Sequence, residues 1–358
     1  MRFFRSFLDR QKDRFQSGGR LDSLYPLFEA VDTIFYTPDT VTSGTTHVRD
    51  ALDLKRMMSV VVAALMPIVF FAMYNTGLQA NRAIVAGATP LDDWQTRLFQ
   101  ALGFGFTTDF WASLILPPTI PLWQVASGAV FGVLIGKEIF GGTGMNVLNP
   151  ALTARAFLFF AYPAEISGDK PWIAADFIGV DGFSGATWLA RATAEGPQVL
   201  GQVGGTHWMD AFLGFIPGSM GETSALLCLV GAVILIVTRI GSWRTMLGVV
   251  VGTAGMATLL NVFGSETNPA FAIPFAWHVV LGGWALGTVF MATDPVSSAF
   301  TDKGRLIYGF GIGVMVILVR AVNPAYPEGM MLAILFMNMF APFIDHFFVQ
   351  ANIKRRLA

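Results

Sequence analysis

The sequence predicts an all-α protein that crosses a membrane several times. Of its 358 residues, 54% are hydrophobic and only 13% are charged, whereas average soluble domains have about 25% charged residues. Several apolar stretches approach the roughly 17–25 residues that a helix needs to cross a bilayer. The net charge is -1, and no basic stripe lies between the two termini. Nucleic acid is therefore not an expected partner.

About eight membrane crossings are expected from the apolar stretches. They cover residues 57–74, 123–140, 152–163, 223–238, 245–263, 276–292, 306–322 and 329–344. Residues 75–109 are expected to form a polar loop, and the apolar stretch 110–116 is too short to span a bilayer. These limits divide the chain into a basic N-terminal segment (1–56), a transmembrane domain (57–350) and a basic tail (351–358).

Positive charge sets the expected orientation, because loops rich in Lys and Arg stay in the cytoplasm. Both termini are basic, as are the short loops that contain Arg239 and Lys303. The long loop 164–222 carries mostly acidic charges, so we expect it on the outer side. An even number of crossings then places both termini in the cytoplasm.

The N-terminal segment combines basic and aromatic residues. Phe3, Phe4, Phe7 and Leu8 fall on one helical face beside several arginines. This pattern predicts either a helix that lies on membrane lipid at the cytoplasmic surface or a solvated tail.

Glycine at every fourth position predicts a closely packed helix pair. Gly128, Gly132 and Gly136 lie on one face of the 123–140 crossing, where a second helix can approach. The crossing leads into segment 141–150, which is rich in glycine and asparagine and ends in proline. Such a backbone cannot continue a helix, and at membrane depth it must face protein or a cavity.

The same order of features occurs twice along the chain. A proline and a tryptophan precede a glycine-bearing stretch that ends at Asn149-Pro150, and the same order, starting at Pro274, ends at Asp294-Pro295. Paired broken helices are typical of repeat folds whose sites lie near the membrane midplane. We therefore expect two pseudo-repeated halves with broken helices.

A small polar loop lies within the expected external segment. It ends in Ser184-Gly185-Ala186-Thr187. Gly185 and Ala186 give little steric cover, so a bulky phosphate-bearing partner can approach the Thr187 hydroxyl. Taken alone, this tetrapeptide is more typical of an ordinary turn.

Several motifs together resemble one known family along nearly the whole chain. They are the 141–150 segment with Asn146 and Asn149-Pro150, segment 155–163, the Thr187 tetrapeptide, segment 291–297 and segment 323–331. The chain resembles the B subunit of the sodium-pumping NADH:quinone oxidoreductases, to which the D subunit of the Rnf complex is related. The basic ends favour the first of these two.

The resemblance implies two flavins. It implies that a flavin transferase esterifies the phosphate of FMN to Thr187, within the motif that includes Ser184 and Gly185. It also implies riboflavin near Asn146 and Asn149, beside Thr143. Amides suit a flavin because they both donate to and accept from its ring edge. The alternative is that the two asparagines only cap helices across the break.

The resemblance further implies electron transfer towards ubiquinone, coupled to Na+ translocation, within a complex of several subunits in the bacterial inner membrane. Members of the family have about ten helices, and two of these are expected between residues 109 and 117, where this chain has only a short apolar stretch. The family's quinone-binding glycines lie in that segment, so quinone binding by this chain stays open.

Three acidic residues are candidates for the Na+ pathway. Asp294 precedes Pro295 at a helix break, where it either caps the next short helix or acts as a Na+ ligand or as a charge near a flavin. Glu222 and Asp345 lie at the ends of two other crossings. For both of them, a simple interfacial position is the alternative.

Other functions are less favoured by the sequence. His278 and His346 raise the alternative of haem ligation, but each lies near a helix end, where a hydrogen-bonding histidine is expected. Cys228 is the only cysteine, which excludes an iron–sulfur cluster held by this chain alone. A channel or transporter without redox chemistry and a D-type subunit of an Rnf complex remain the rival functions.

Overall fold

The described part of the protein is helical, as the sequence predicts. The computed structural model describes residues 10–12, 14–15, 28, 54–85, 116, 120–142, 144–166, 173, 186–201, 206–219, 221–323 and 328–357. Within these residues the only extended pairing is an isolated bridge between Leu200 and Thr206. The expected surface helix at the N-terminus lies almost entirely outside the described residues, as does most of the stretch 110–116.

The helices vary greatly in length. The α-helices are Leu54–Val85, Leu122–Gly136, Pro150–Ala161, Pro163–Ile166, Trp188–Glu195, Trp208–Leu213, Ala225–Val237, Trp243–Phe263, Phe275–His278, Trp284–Leu286, Asp302–Val322 and Met330–Leu357. Short 3-10 turns occur at Glu138–Phe140, Pro197–Val199 and Pro269–Ala272, and a π-helical turn occurs at Gly287–Met291.

The membrane class is confirmed. Five spans in the described residues are long and apolar enough to cross a bilayer: Met57–Val85, Leu122–Phe140, Trp243–Phe263, Asp302–Val322 and Met330–Leu357. Pro150–Ala161 and Ala225–Val237 are shorter apolar helices. The chain divides into two units, Met1–Ala64 and Leu65–Ala358, and the second contains every candidate site residue.

The first long helix differs from the sequence expectation. It continues through residues 75–85, which we expected to form part of a polar loop. The buried Asn75 side chain explains the difference, because its Nδ2 donates to Ile216 O over 3.0 Å and its Oδ1 accepts from Gln79 Nε2 over 3.2 Å. Polar groups that are satisfied inside the protein allow the helix to continue.

The expected crossing 276–292 is also not one helix. It consists of Phe275–His278, a non-helical segment 279–283, and the short helix Trp284–Leu286 that runs into the π-helical turn. Gly282 has a φ of 65°, in the left-handed region that favours glycine. From the sequence we expected a break only after residue 292.

The glycine-based helix pair is confirmed. Leu122–Gly136 packs against Pro150–Ala161 through its glycine face. A Cβ built on Gly128 would lie 2.7 Å from Leu158 Cδ1, and one on Gly132 would lie 2.6 Å from Pro150 O. Such short distances show that a larger residue has no room at either position.

Candidate functional site

Thr187 is the N-cap of the eight-residue helix Trp188–Glu195. Its backbone is extended, and its Oγ1 accepts a hydrogen bond from the Ala190 N–H over 3.3 Å. Threonine at this position satisfies one of the free N–H groups of the first helical turn. The residue is 9% exposed. Ser184 and Gly185, which we predicted to flank it, lie outside the described residues.

Thr187 lines a small cavity that it shares with two carboxylates. The cavity has a volume of about 20 Å³, which is room for about one water molecule. Its walls include Leu189, Gly282, Glu222 and Glu328. The structure therefore brings Glu222, predicted as a pathway residue, next to the predicted flavin anchor. Glu328 was not among the predicted site residues.

Glu222 forms a buried ion pair with Arg155. Arg155 Nη1 and Glu222 Oε1 lie 2.5 Å apart, and the two side chains are 5% and 6% exposed. Arg155 lies on the helix Pro150–Ala161, whereas Glu222 precedes the N-cap of Ala225–Val237. Burial raises the pKa of the Glu222 carboxyl, Arg155 opposes that rise, and the Glu328 carboxylate adds to it.

We expect an unequal response when this ion pair is broken. Glu222→Leu should lower the free energy of unfolding by about 3–5 kcal/mol, because a guanidinium cannot lose its proton to escape the desolvation penalty. Arg155→Met should lower the free energy of unfolding by a smaller amount, because the Glu222 carboxyl can become neutral by taking up a proton. Thermal unfolding of the purified protein in detergent measures both effects. The double variant should recover most of the loss, and a double variant as unstable as Glu222→Leu would contradict this explanation.

At each of the two predicted helix breaks, the side chain before the proline accepts hydrogen bonds in the same pattern. Asn149 Oδ1 accepts from the backbone N–H groups of Ala151 and Leu152, two and three residues ahead. Asp294 accepts in the same way from the N–H groups of Val296 and Ser297. The shared geometry supports the predicted repeat. Asn149 caps a helix, which is the alternative that we considered for it, whereas residues 295–298 after Asp294 form a turn and not the expected short helix.

Asn146 also lies inside the first break. It is buried, and its Nδ2 donates to Leu148 O over 3.0 Å. The orientation of the Asn338 amide that satisfies its neighbours has its nitrogen donating to the Tyr308 hydroxyl. In that orientation its oxygen accepts from the Asn149 backbone N–H over 3.1 Å. The break is thus tied to the last long helix. Thr143 lies outside the described residues.

Asp345 joins two helices. Its oxygens accept from the Phe300 N–H at 2.6 Å and from both the N–H and the hydroxyl of Thr301, which caps Asp302–Val322. Within the described residues, no three His, Cys, Asp or Glu side chains come together as a metal site. The three acids of the predicted Na+ pathway therefore have separate positions.

Arg155, Arg320 and His278 are further buried polar residues. His278 is buried, and its Nδ1 lies 3.3 Å from Arg320 Nη1, which is the hydrogen-bonding role we expected in place of haem ligation. His346 is exposed. Arg155 and Arg320 were missed, although charged residues inside apolar stretches are a known signal of function.

Comparison with known proteins gives one consistent result. The model of the NQR2, RnfD, RnfE family matches residues 41–354. The B subunit of the Na(+)-translocating NADH-quinone reductase from Chromohalobacter salexigens is 53% identical, over 99% of this chain and 96% of the relative. The B subunits of the same enzyme from Ectopseudomonas mendocina and Klebsiella pneumoniae are 50% identical, over 99% and 98% of this chain and 98% of each relative.

The alignments also bear on the expected missing segment. The first alignment spans 401 positions, whereas this chain has 358 residues. Several tens of positions in the relative therefore have no counterpart here, which is the length expected for about two helices. With similarity along nearly its whole length to these relatives, the chain belongs to the NQR2, RnfD, RnfE family.

Proposed function

We propose that this chain is the flavin-carrying membrane subunit of a sodium-translocating NADH:quinone oxidoreductase. The observation that carries the proposal is its similarity, over nearly the whole chain, to relatives that are named as the B subunit of this enzyme. The family also contains RnfD proteins, so a D-type subunit is the second candidate. The first is favoured because relatives at 50–53% identity carry the name of the B subunit.

The helix terminus at Thr187 suits a covalently attached phosphate, although the carboxyl groups of Glu222 and Glu328 in the adjoining cavity wall oppose one. The Thr187 oxygen already lies over the first turn of a helix, where free N–H groups and the helix dipole favour a negative charge. Arg191, one turn further along, has a positive charge that is shared with Glu195, whose Oε1 lies 3.5 Å from Arg191 Nε, and its guanidinium packs over the Trp188 ring at 4.8 Å. An esterified Oγ1 can still accept from the Ala190 N–H, so attachment through this oxygen is compatible with the cap.

In this proposal FMN is attached to Thr187 by a flavin transferase and supplies one- and two-electron chemistry, while the chain orients it and excludes competing contacts. Ser184 and Gly185 belong to the attachment motif. Riboflavin binds near Asn146 and Asn149, with Thr143. The side-chain bonds described above use Asn146 Nδ2, which donates to Leu148 O, and Asn149 Oδ1, which caps the helix, so the other polar atom of each amide can face the ring edge.

Electrons pass towards ubiquinone, and Na+ crosses the membrane at the same time. The energetic reason for coupling is that a cation stabilises a negative charge in a low dielectric. Asp294, Glu222 and Asp345 remain the proposed acids of the Na+ pathway. The proposed setting is the bacterial inner membrane, with other subunits of the complex, surrounding lipid, and both termini in the cytoplasm.

Sodium uptake by inverted membrane vesicles tests this function against a passive channel. We expect NADH to drive Na+ uptake in the presence of a protonophore, and we expect no such uptake in vesicles from a strain that lacks only this chain. Vesicles from that strain with the gene restored are the control. Uptake that needs no NADH would indicate a channel, and uptake abolished by the protonophore would exclude a primary sodium pump.

A further inference from the structure

The break at residues 279–283 frees backbone groups that a continuous helix would pair. In a regular helix, the carbonyls of His278 and Leu281 would accept from residues four positions ahead, and the Gly283 N–H would donate four positions back. His278 and Leu281 are buried, and buried backbone groups without a partner are costly. Other residues must therefore provide partners if the break is to persist.

Arg320 provides partners for the freed carbonyls. Its Nη1 donates to His278 O over 2.9 Å, and its Nη2 donates to Leu281 O over 3.0 Å. The side chain is 1% exposed. The fixed positive charge of this guanidinium disfavours a mobile cation at the same carbonyls, in contrast to the broken helices of many transporters.

Glu328 provides the partner for the freed N–H. Its Oε2 accepts from the Gly283 N–H over 2.9 Å. Its backbone carbonyl in turn accepts from Arg320 Nε over 3.2 Å. Arg320 and Glu328 thus form one unit, which we call the clamp, and each of its bonds to the break replaces one that the helix has lost.

The clamp also lies next to the Thr187 helix. A Cβ built on Gly282 would lie 2.5 Å from Glu328 Oε2 and 2.9 Å from Leu189 Cδ2. Gly282 is therefore enclosed between the clamp carboxylate and the second residue of the Thr187 helix. The same residues line the small cavity that Thr187 faces. A shift of the break would therefore change the packing of Leu189 directly.

We propose that Arg320 and Glu328 are positioning residues that hold the 279–283 break and thereby seat the helix that begins at Thr187. The positioning of a flavin by this helix rests on the proposed function, whereas the mechanical link between break and helix does not. The clamp acts through hydrogen-bond geometry, so a neutral residue that keeps an acceptor oxygen should preserve it.

Hydrogen–deuterium exchange of the whole purified complex tests the clamp. In Glu328→Ala, amides of residues 188–195 and 279–287 should exchange about tenfold faster, as expected for loss of a bond to a charged group. Glu328→Gln should restore most of the protection, because its amide oxygen can accept from Gly283. Glu266→Ala changes an exposed acid in the loop after Trp243–Phe263 and should leave both segments unchanged.

Each result has a defined meaning. Faster exchange at 279–287 alone would overturn the link to the Thr187 helix, and unchanged exchange at both would overturn the clamp. If Glu328→Gln behaves as Glu328→Ala, the charge and not the acceptor oxygen is what matters, and the geometric proposal fails. The intact mass of the wild-type chain reports attached flavin separately. If the chain carries no flavin but shows the expected exchange pattern, the proposed function is contradicted and the clamp is supported.

Discussion

Replacing Thr187 by alanine should abolish covalent flavin on this chain. The alanine side chain has no oxygen to form the phosphoester, and loss of the helix cap costs only about 1 kcal/mol, so the protein should still fold. A denaturing gel viewed under ultraviolet light measures the effect: the wild-type band should fluoresce and the variant band should not.

Thr193 provides the matched control, because it lies on the same short helix. Its hydroxyl donates to the carbonyls of Leu189 and Ala190, so Thr193→Ala removes a threonine without touching the anchor. We expect this variant to keep full fluorescence, and Thr187→Ser, which retains a hydroxyl, to keep some. A fluorescent Thr187→Ala band would place the flavin elsewhere.

The second large effect is expected at the contact between helices Trp243–Phe263 and Asp302–Val322. A Cβ built on Gly252 would overlap Phe310 O and lie 3.0 Å from Phe310 C. A Cβ built on Gly313, on the opposite helix, would overlap Val249 O in the same way. Gly252→Val should therefore destabilise the protein by about 3 kcal/mol or more, at the upper end of overpacking effects. The midpoint of thermal unfolding in detergent measures this loss.

Gly255 is the matched control for that substitution. It lies on the same helix, and a Cβ built there would meet nothing within 4 Å. Gly255→Val has the same change in helix propensity, so any difference between the two variants comes from packing. We expect Gly255→Val to change stability by no more than about 0.5 kcal/mol. Equal destabilisation by both variants would mean that the two helices do not meet through Gly252.

Features that depend on nearby residues were predictable from the sequence. Gly128 and Gly132 predict a close helix pair through their spacing alone, and the structure confirms it. The Asn149-Pro150 and Asp294-Pro295 breaks were predicted for the same reason, since each cap bonds only two and three residues ahead.

Features that depend on distant partners were not predictable. The helix through residues 75–85 needs Ile216 as an acceptor for Asn75, a residue 141 positions away. Arg155 finds Glu222 at a separation of 67 residues, and Glu328 finds Gly283 at a separation of 45. A single sequence shows that such charged and polar residues are unusual inside apolar stretches, but it does not show which of them meet.

Distant contacts also bring the residues of the candidate site together. Thr187 alone is a helix cap, and its tetrapeptide alone is a turn. The packing of Leu189 against Gly282, with Glu222 and Glu328 in the wall of the same cavity, places the predicted anchor beside the second broken helix. The cavity therefore gives the proposed attachment site at Thr187 a defined structural position.

The most direct test is the mass of the peptide that contains Thr187. The chain should be produced together with its flavin transferase, purified, digested and sequenced by tandem mass spectrometry. We predict that this peptide is heavier than its amino acids by one FMN less one water, and that fragmentation assigns the added mass to Thr187. If every copy of this peptide lacks the added mass, or if the added mass lies on another residue, the proposed attachment of FMN to Thr187 is wrong.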